Sequence, residues 1–120
     1  MKHILDPFLS KHHIYFEIAV REALKSEIAH KHGCVIRNQK SGKIMAKGHN
    51  KYTHRKCFKN YYSIHAEVDV INKCRSIDLK KNKVIMYIVR IGNNGAVQYS
   101  KPCVKCQKLL IKKKVTIYHS

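Results

Sequence analysis

The chain has 120 residues, 44% of them hydrophobic, which suits one globular domain over residues 1–120. No apolar run approaches the ~20 residues of a membrane span, and the N-terminus lacks the long apolar core of a signal peptide. We therefore expect an intracellular, cytoplasmic protein with no membrane partner. Five cysteines, an odd number, favour free thiols and bound metal in a reducing compartment over a disulfide framework.

Positive charge dominates the composition. Twenty-five Lys and Arg residues against seven Asp and Glu give a formal net charge of +18, and no acidic residue follows Asp78. Such an excess favours a polyanionic partner such as a nucleic acid. The alternative is a lysine-rich composition inherited from an AT-rich genome, because net charge bears on solubility and non-specific binding rather than on fold.

The first predicted element is an amphipathic helix that begins near Asp6 or Ser10. Residues 31–33 supply positive charge and then a glycine, which we expect to end the helix, with His30 and His32 capping it. The apolar positions that recur at helical spacing are Phe16, Val20, Ala23, Leu24 and Ile28.

A hairpin is predicted next. Residues 34–37 and 44–48 are short β-prone runs on either side of a turn that contains a glycine, at residues 38–42. The segment 49–62 shows no period and is predicted as a loop, whereas residues 64–75 suit a mostly buried helix.

The second half of the chain predicts the centre of a sheet. Residues 84–91 are nearly all apolar, as expected of a central strand buried on both faces. A tight turn at residues 93–95 predicts a short returning strand at 96–99. A helix over residues 103–114 and a last strand at 115–119 complete an α/β layered sheet.

Two short motifs carry the chemistry: His65-Ala66-Glu67 at one predicted helix start and Pro102-Cys103-x-x-Cys106 at another. Cysteines three apart share one helical face, and the helix N-terminus favours the thiolate that binds metal. With His65 they make three ligands and leave the fourth tetrahedral position open, which is typical of a catalytic zinc. Glu67, two residues from a ligand, is the candidate proton carrier.

A closed structural zinc site is the alternative interpretation of the same motifs. Its fourth ligand would be Cys34, Cys57 or Cys74. That interpretation leaves Glu67 without a role, and structural sites usually draw their ligands from paired Cys and His motifs.

These motifs resemble the cytidine deaminase superfamily, particularly the branch of deoxycytidylate deaminases and tRNA adenosine deaminases, over about residues 30–119. The resemblance implies a three-layer α/β/α sandwich with a mixed sheet and a zinc cofactor. It implies His65, Cys103 and Cys106 as zinc ligands and Glu67 as the proton shuttle. Asn50, in Gly48-His49-Asn50, would bind the substrate, and the backbone N–H groups of Ala66 and Cys103 would line the same pocket.

The family fold generally continues to a fifth strand and a closing helix, which are not visible in this sequence. The strand at residues 115–119 is therefore expected to be an open sheet edge. An open edge invites pairing with a second copy. We accordingly predict a homo-oligomer.

The segment after Asn50 interleaves cations with aromatic residues, a pattern that can stack unpaired bases and follow phosphates. The alternative is a solvated loop whose aromatics pack beneath it. His54 and Cys57, with His49, are a candidate second metal site. The candidate nucleic-acid contacts are Lys51, Tyr52, Arg55, Lys56, Tyr61, Tyr62 and, on the last helix, Lys105 and Lys108.

Three functions follow as hypotheses. The first is a zinc-dependent deaminase that converts a cytidine or deoxycytidine compound, nucleoside or nucleotide, to its uridine counterpart. The second is a deaminase of cytosine or adenine within RNA or single-stranded DNA. The third is a non-catalytic, zinc-stabilised nucleic-acid-binding module, which an intact Glu67 disfavours.

Overall fold

The computed structural model describes residues 1–4, 6, 9–52, 63–74 and 81–120. The helices in these ranges are α1 (His13–Ala23), α2 (Ala66–Lys73) and α3 (Val104–Lys112). The strands are β1 (Lys2–His3), β2 (Lys31–Asn38), β3 (Ile44–His49), β4 (Lys51–Tyr52), β5 (Ser63–Ile64), β6 (Val84–Ile91), β7 (Val97–Gln98) and β8 (Thr116–His119).

The main sheet is mixed, as the resemblance implied. Its strands run in the order β1-β8-β6-β2-β3, and β7 pairs with β6. Strand β6 is antiparallel to β2 and parallel to β8. A separate ladder of β4 and β5 leads the chain into α2.

Helices cover both faces of the sheet, which confirms the three-layer α/β/α arrangement. Alternate residues of β6 point to opposite faces because a strand has a side-chain period of two. Ile85, Tyr87 and Val89 pack with Phe16 of α1. Met86 and Ile88 belong to the core on the other face, with residues of α2 and α3. The predicted central strand at residues 84–91 is confirmed and is buried along nearly its whole length.

The first helix ends earlier than the periodicity predicts. Its last turn tightens, since the N–H groups of Lys25 and Ser26 bond to carbonyls three residues back. Residues 31–33, predicted as the stop, instead begin β2. Gly33 serves close packing, because a Cβ there would collide with the backbone of Ala19 in α1. His30 and His32 therefore do not cap the helix.

The predicted open edge at residues 115–119 is wrong. The N-terminal segment adds β1 in parallel to β8, pairing Lys2 with Tyr118 and His3 with His119. The N–H of Ile4 extends this pairing to the carbonyl of His119. A two-residue strand has no sequence period, which is why the pattern did not reveal it. The stated reason for a homo-oligomer is thereby removed.

The remaining elements agree with prediction to within a few residues. The hairpin of β2 and β3 forms around a turn in which Gly42 has φ +74°, a conformation that favours glycine. The predicted loop at 49–62 begins with the last residue of β3 and carries β4, and residues 53–62 lie outside the described ranges. No helix in the described parts of the chain is long and apolar enough to cross a membrane.

Candidate metal centre and substrate pocket

Two helix starts bring the motif side chains together. His65 is the N-cap of α2, with an extended backbone at φ −68° and ψ 150°. Cys103 is the N-cap of α3, with φ −65° and ψ 163°, and its Sγ accepts the N–H of Cys106 at 3.5 Å. A capping residue has non-helical backbone angles, so its side chain lies at the end of the helix axis. Both motifs therefore present their ligands at a helix N-terminus.

The three predicted metal ligands converge. The His65 Nδ1 atom lies 3.3 Å from Cys106 Sγ and 3.7 Å from Cys103 Sγ. All three donor atoms lie within 4.8 Å of one another. Tetrahedral zinc, with Zn–S near 2.3 Å and Zn–N near 2.0–2.1 Å, requires N···S separations of about 3.5–3.6 Å. The donor set and its spacing fit zinc, and Nδ1 is the His65 atom whose distances to the two sulfur atoms match.

Two of the three alternative fourth ligands lie elsewhere. Cys34 and Cys74 are completely buried in the hydrophobic core beneath α2. Burial raises the pKa of both thiols, as it also does for Cys106, so their place in the core rather than their pKa separates them from the ligand group. Cys57 lies outside the described residues. Within the described ranges, His65, Cys103 and Cys106 form the metal-ligating group, with no fourth His, Cys, Asp or Glu.

Glu67 lies in the first turn of α2 and is only 4% exposed. Burial raises its pKa, while its own backbone N–H, the Cys106 side chain and the charge of His65 oppose the rise. A carboxyl group whose pKa is raised by burial is better suited to accepting and returning a proton than an exposed one. The carboxyl shares a pocket with His65 and Cys103.

The pocket has a volume of about 280 Å³. His65, Cys103 and the Glu67 carboxyl group line it together with His32 of β2 and residues between the elements, so it is the natural place for a substrate. Its lining residues are Ile28, His30, His32, Asn50, His65, Ala66, Glu67, Ser100, Lys101, Pro102 and Cys103.

Asn50 lines the pocket, as predicted, and its amide is also engaged with the main chain. Its Oδ1 accepts the N–H of His32 at 2.8 Å, and its Nδ2 donates to the carbonyl of His30 at 2.7 Å. An amide oxygen has two lone pairs and an amide nitrogen two hydrogens, so one of each remains for a substrate. Asn50 therefore also fixes the backbone that carries two histidines.

His30 and His32 are functional candidates that the sequence placed at the end of a helix. The hairpin pairs Gly33 with His49, and continuing that register sets His32 beside Asn50. Extending the predicted strand by three residues, to Lys31, would have included His32 and placed His30 directly before the strand. Burial lowers the pKa of His32 to about 4, with the charges of Arg90, His65 and His30 adding to the effect. His32 is consequently neutral at neutral pH.

The predicted nucleic-acid contacts separate into three groups. Lys51 bonds to buried Asp69, with Nζ 2.8 Å from Oδ1, whereas Tyr52 is 46% exposed on β4. Lys105 and Lys108 are exposed on α3. Four further candidates, Arg55, Lys56, Tyr61 and Tyr62, lie outside the described residues. The same is true of His54 and Cys57 of the candidate second metal site.

Comparison with known proteins agrees with this geometry. The family model of the cytidine and deoxycytidylate deaminase zinc-binding region matches residues 9–118. A comparison with curated proteins found no match. Two similar solved structures are crystal structures of dCMP deaminase from the cyanophage S-TIM5, in apo form and in complex with dCMP and dUMP.

The apo structure has a TM-score of 0.64 and 20% identity, over 88% of this chain and 79% of that one. The complex has a TM-score of 0.59 and 18% identity, over 88% and 77% of the two chains. At such identity these likenesses establish the fold. The family match covers nearly the whole chain and includes both metal-ligand motifs. The chain therefore belongs to the cytidine and deoxycytidylate deaminase zinc-binding family of hydrolytic deaminases.

Proposed function

We propose that this protein is a zinc-dependent deaminase that converts a cytidine or deoxycytidine compound, nucleoside or nucleotide, to the uridine counterpart and releases ammonia. One observation carries the proposal. The donor atoms of His65, Cys103 and Cys106 lie within 4.8 Å of one another, and His65 and Cys103 line the pocket that also holds the buried Glu67. Three ligands and a separate proton carrier make the arrangement expected for metal-assisted hydrolysis.

His65, Cys103 and Cys106 would hold the zinc ion. Zinc held by three protein ligands would lower the pKa of a water in its open position to about 7. Cys103 lies at the N-terminus of α3, where the helix dipole stabilises negative charge.

Glu67 would move the protons of the reaction. It takes one proton from the attacking water and delivers it to the cytosine ring nitrogen next to C4. A second proton, from the new hydroxyl group on C4, then passes through Glu67 to the departing amine, which leaves as ammonia. Cytosine and water thus become uracil and ammonia, with no net change in the protonation of Glu67. Its burial supports this role, because a carboxylate in contact with water would have a lower pKa and bind protons less readily.

Asn50, Ala66 and Cys103 would position the substrate. The first N–H groups of a helix have no intrahelical partner, and the N–H groups of Ala66 and Cys103 lie at the starts of α2 and α3. They are suited to hydrogen-bond the base carbonyl. The remaining N–H and lone pair of Asn50 would bind the base or the sugar.

The preference for cytosine over adenine rests on the family and its structures. The cyanophage enzyme was crystallised with dCMP and dUMP, the substrate and product of cytosine deamination. This chain carries Lys101 before its Pro-Cys motif, and Gly92 to Ser100 separate β6 from that motif. The resemblance implies a different arrangement for adenosine deaminases of tRNA, in which the strand runs almost directly into Glu-Pro-Cys.

A deaminase of cytosine or adenine within RNA or single-stranded DNA is the second candidate function. It is favoured by the exposed lysines of α3, Lys105 and Lys108, which are neighbours of Cys106 in sequence, and by the formal charge of +18. Binding to a strand would weaken steeply with salt, because each neutralised phosphate releases counterions.

The test is turnover by the zinc-loaded protein. Cytidine, deoxycytidine, their monophosphates and a cytosine-containing single strand are offered side by side, and ammonia and uracil products are measured. Turnover of monomers supports the proposal, and turnover of the strand alone supports the second candidate. Absence of ammonia from every substrate would reject both and favour a non-catalytic zinc-binding module. The homo-oligomer remains a prediction, which sedimentation at high protein concentration tests.

A further inference from the structure

Three basic side chains from separate segments meet at the pocket, and we call them the basic set: His30, Arg90 and Lys101. His30 precedes β2, Arg90 belongs to β6, and Lys101 precedes α3. His30 and Lys101 line the pocket, and Arg90 contacts His30 from β6. Among the described residues, Glu67, the proposed proton carrier, is the one acidic side chain that lines the same pocket. Lys101 in the lining and Arg90 behind His30 bring positive charge that the deamination chemistry does not use.

The hydrogen bond between Arg90 and His30 fixes the form of the imidazole ring. Arg90 Nη2 lies 3.1 Å from His30 Nδ1. A guanidinium group only donates, so Nδ1 must be the acceptor. With Nδ1 accepting, the ring hydrogen lies on Nε2, and Nε2–H is a donor polarised by the adjacent positive charge. Such a donor favours an anionic acceptor.

The position of this pair is set by the strands and by Asn50. His32 pairs with Arg90 in the register of β2 and β6, which places Arg90 next to the segment that carries His30. Asn50 Nδ2 holds the carbonyl of His30, and Asn50 Oδ1 holds the N–H of His32. The residue proposed to contact the substrate thereby also anchors the histidine of the basic set.

We infer that His30, positioned by Arg90, binds the phosphate group of a cytosine nucleotide together with Lys101, and so selects nucleotides over free nucleosides. This inference rests on the proposed function and narrows its substrate. Phosphate is the anion expected here because a cytosine compound that enters the metal centre by its base carries its only negative charge on phosphate. The phosphate belongs either to a mononucleotide or to a strand, and the test distinguishes these sources.

The experiment compares kcat and KM for deoxycytidine, its 5′-monophosphate and a short cytosine strand. We expect the zinc-loaded protein to favour the monophosphate at least about 100-fold in kcat/KM over deoxycytidine. His30→Ala and Arg90→Gln should each reduce that preference about 10–100-fold through KM, as expected for loss of a charge-assisted hydrogen bond. Arg90→Lys, which keeps the charge, should recover part of it.

Arg21→Gln is the matched control, because Arg21 is exposed on α1 and does not line the pocket. It removes the same charge and should keep the full preference. His30 lies outside the helices and strands, so His30→Ala decides the matter if the strand variant Arg90→Gln fails to fold. A preference for the strand that His30→Ala removes would support the inference with a polymer as the source of phosphate.

Equal turnover of nucleoside and monophosphate would overturn the inference and leave the deaminase function intact. An unchanged preference in His30→Ala would also overturn it. If no cytosine compound is deaminated, the proposed function fails and calorimetric titration with inorganic phosphate still tests the basic set. Phosphate binding that His30→Ala weakens at least tenfold would support the site, and no binding would reject it.

Discussion

The metal ligands and the basic set are built in different ways. His65, Cys103 and Cys106 lie at the starts of two helices, where a few consecutive residues determine both the ligand types and their spacing. His30 and Arg90 meet although sixty positions separate them in the chain, because β2 and β6 pair. Functional side chains that are close in sequence can be recognised from a motif. Side chains that strand pairing brings together can be recognised only once the fold is known.

Removing the proton carrier should have the largest effect and tests the metal end of the pocket. Glu67→Gln keeps the shape of the side chain but not its basicity, so kcat should fall about 10²–10⁴-fold while one zinc per chain is retained. Steady-state ammonia release and metal analysis measure the two quantities. Glu17→Gln, which alters an exposed carboxylate of α1, is the control and should keep full turnover. Wild-type kcat in Glu67→Gln would remove the proposed mechanism.

Loss of a metal ligand should abolish both zinc and turnover. Cys103→Ser replaces a soft thiolate ligand, so we expect zinc well below one per chain and a lower melting temperature. Cys74→Ala is the matched control, because this cysteine is buried in the core away from the ligands. It should lower stability by about 1–2 kcal/mol through the cavity it creates while keeping zinc. Full zinc content in Cys103→Ser would contradict the ligand assignment.

Asn50→Ala should affect both ends of the pocket. It removes two hydrogen bonds to the backbone of His30 and His32, which should cost about 1–3 kcal/mol of unfolding free energy. KM should rise about tenfold as well. Asn38→Ala is the control, since its Oδ1 accepts two N–H bonds in the hairpin turn away from the pocket. It should lower stability without changing KM. An unchanged KM in Asn50→Ala would limit Asn50 to a structural role.

The smallest expected effect is a pH dependence at His32. Its pKa is lowered from 6.5 to about 4 in the folded protein, chiefly by burial. Below pH 6.5 the unfolded chain therefore binds a proton that the folded chain does not, so stability falls as the pH drops from 6.5 to about 4. Above pH 6.5 the effect is absent.

Denaturant unfolding of the wild type and His32→Gln at pH 7 and pH 4.5 measures this dependence. After allowance for solvent screening, we expect the wild type to lose about 1–2 kcal/mol more than the variant over this range. Parallel losses in the two proteins would show that His32 titrates normally.

The elements that the sequence predicted are those with a period or a local signal. Strand β6 has an apolar run, and α3 begins at a proline and a capping cysteine. Strand β1 has neither, and its place depends on pairing with residues more than a hundred positions away. The end of α1 was misplaced because Gly33 was interpreted as a helix stop, whereas it permits contact between α1 and β2.

The candidate site divides in the same way. The motifs predicted the ligand set, the carboxylate and the asparagine. His65, Cys103, Glu67 and Asn50 line one pocket, and Cys106 Sγ lies 3.3 Å from His65 Nδ1. Lys51 was predicted to contact nucleic acid from its place in a basic and aromatic segment. Its ion pair with Asp69 joins β4 to α2, and a contact between these two elements cannot be read from the sequence.

The most direct test of the account is X-ray absorption spectroscopy at the zinc edge of the purified protein. An open catalytic site predicts two sulfur ligands at about 2.3 Å and two nitrogen or oxygen ligands at about 2.0–2.1 Å, from His65 and an exchangeable water. The lighter shell should change when a cytosine nucleotide is added. Three or four sulfur ligands, unchanged by any nucleotide, would show a closed structural site and contradict the account.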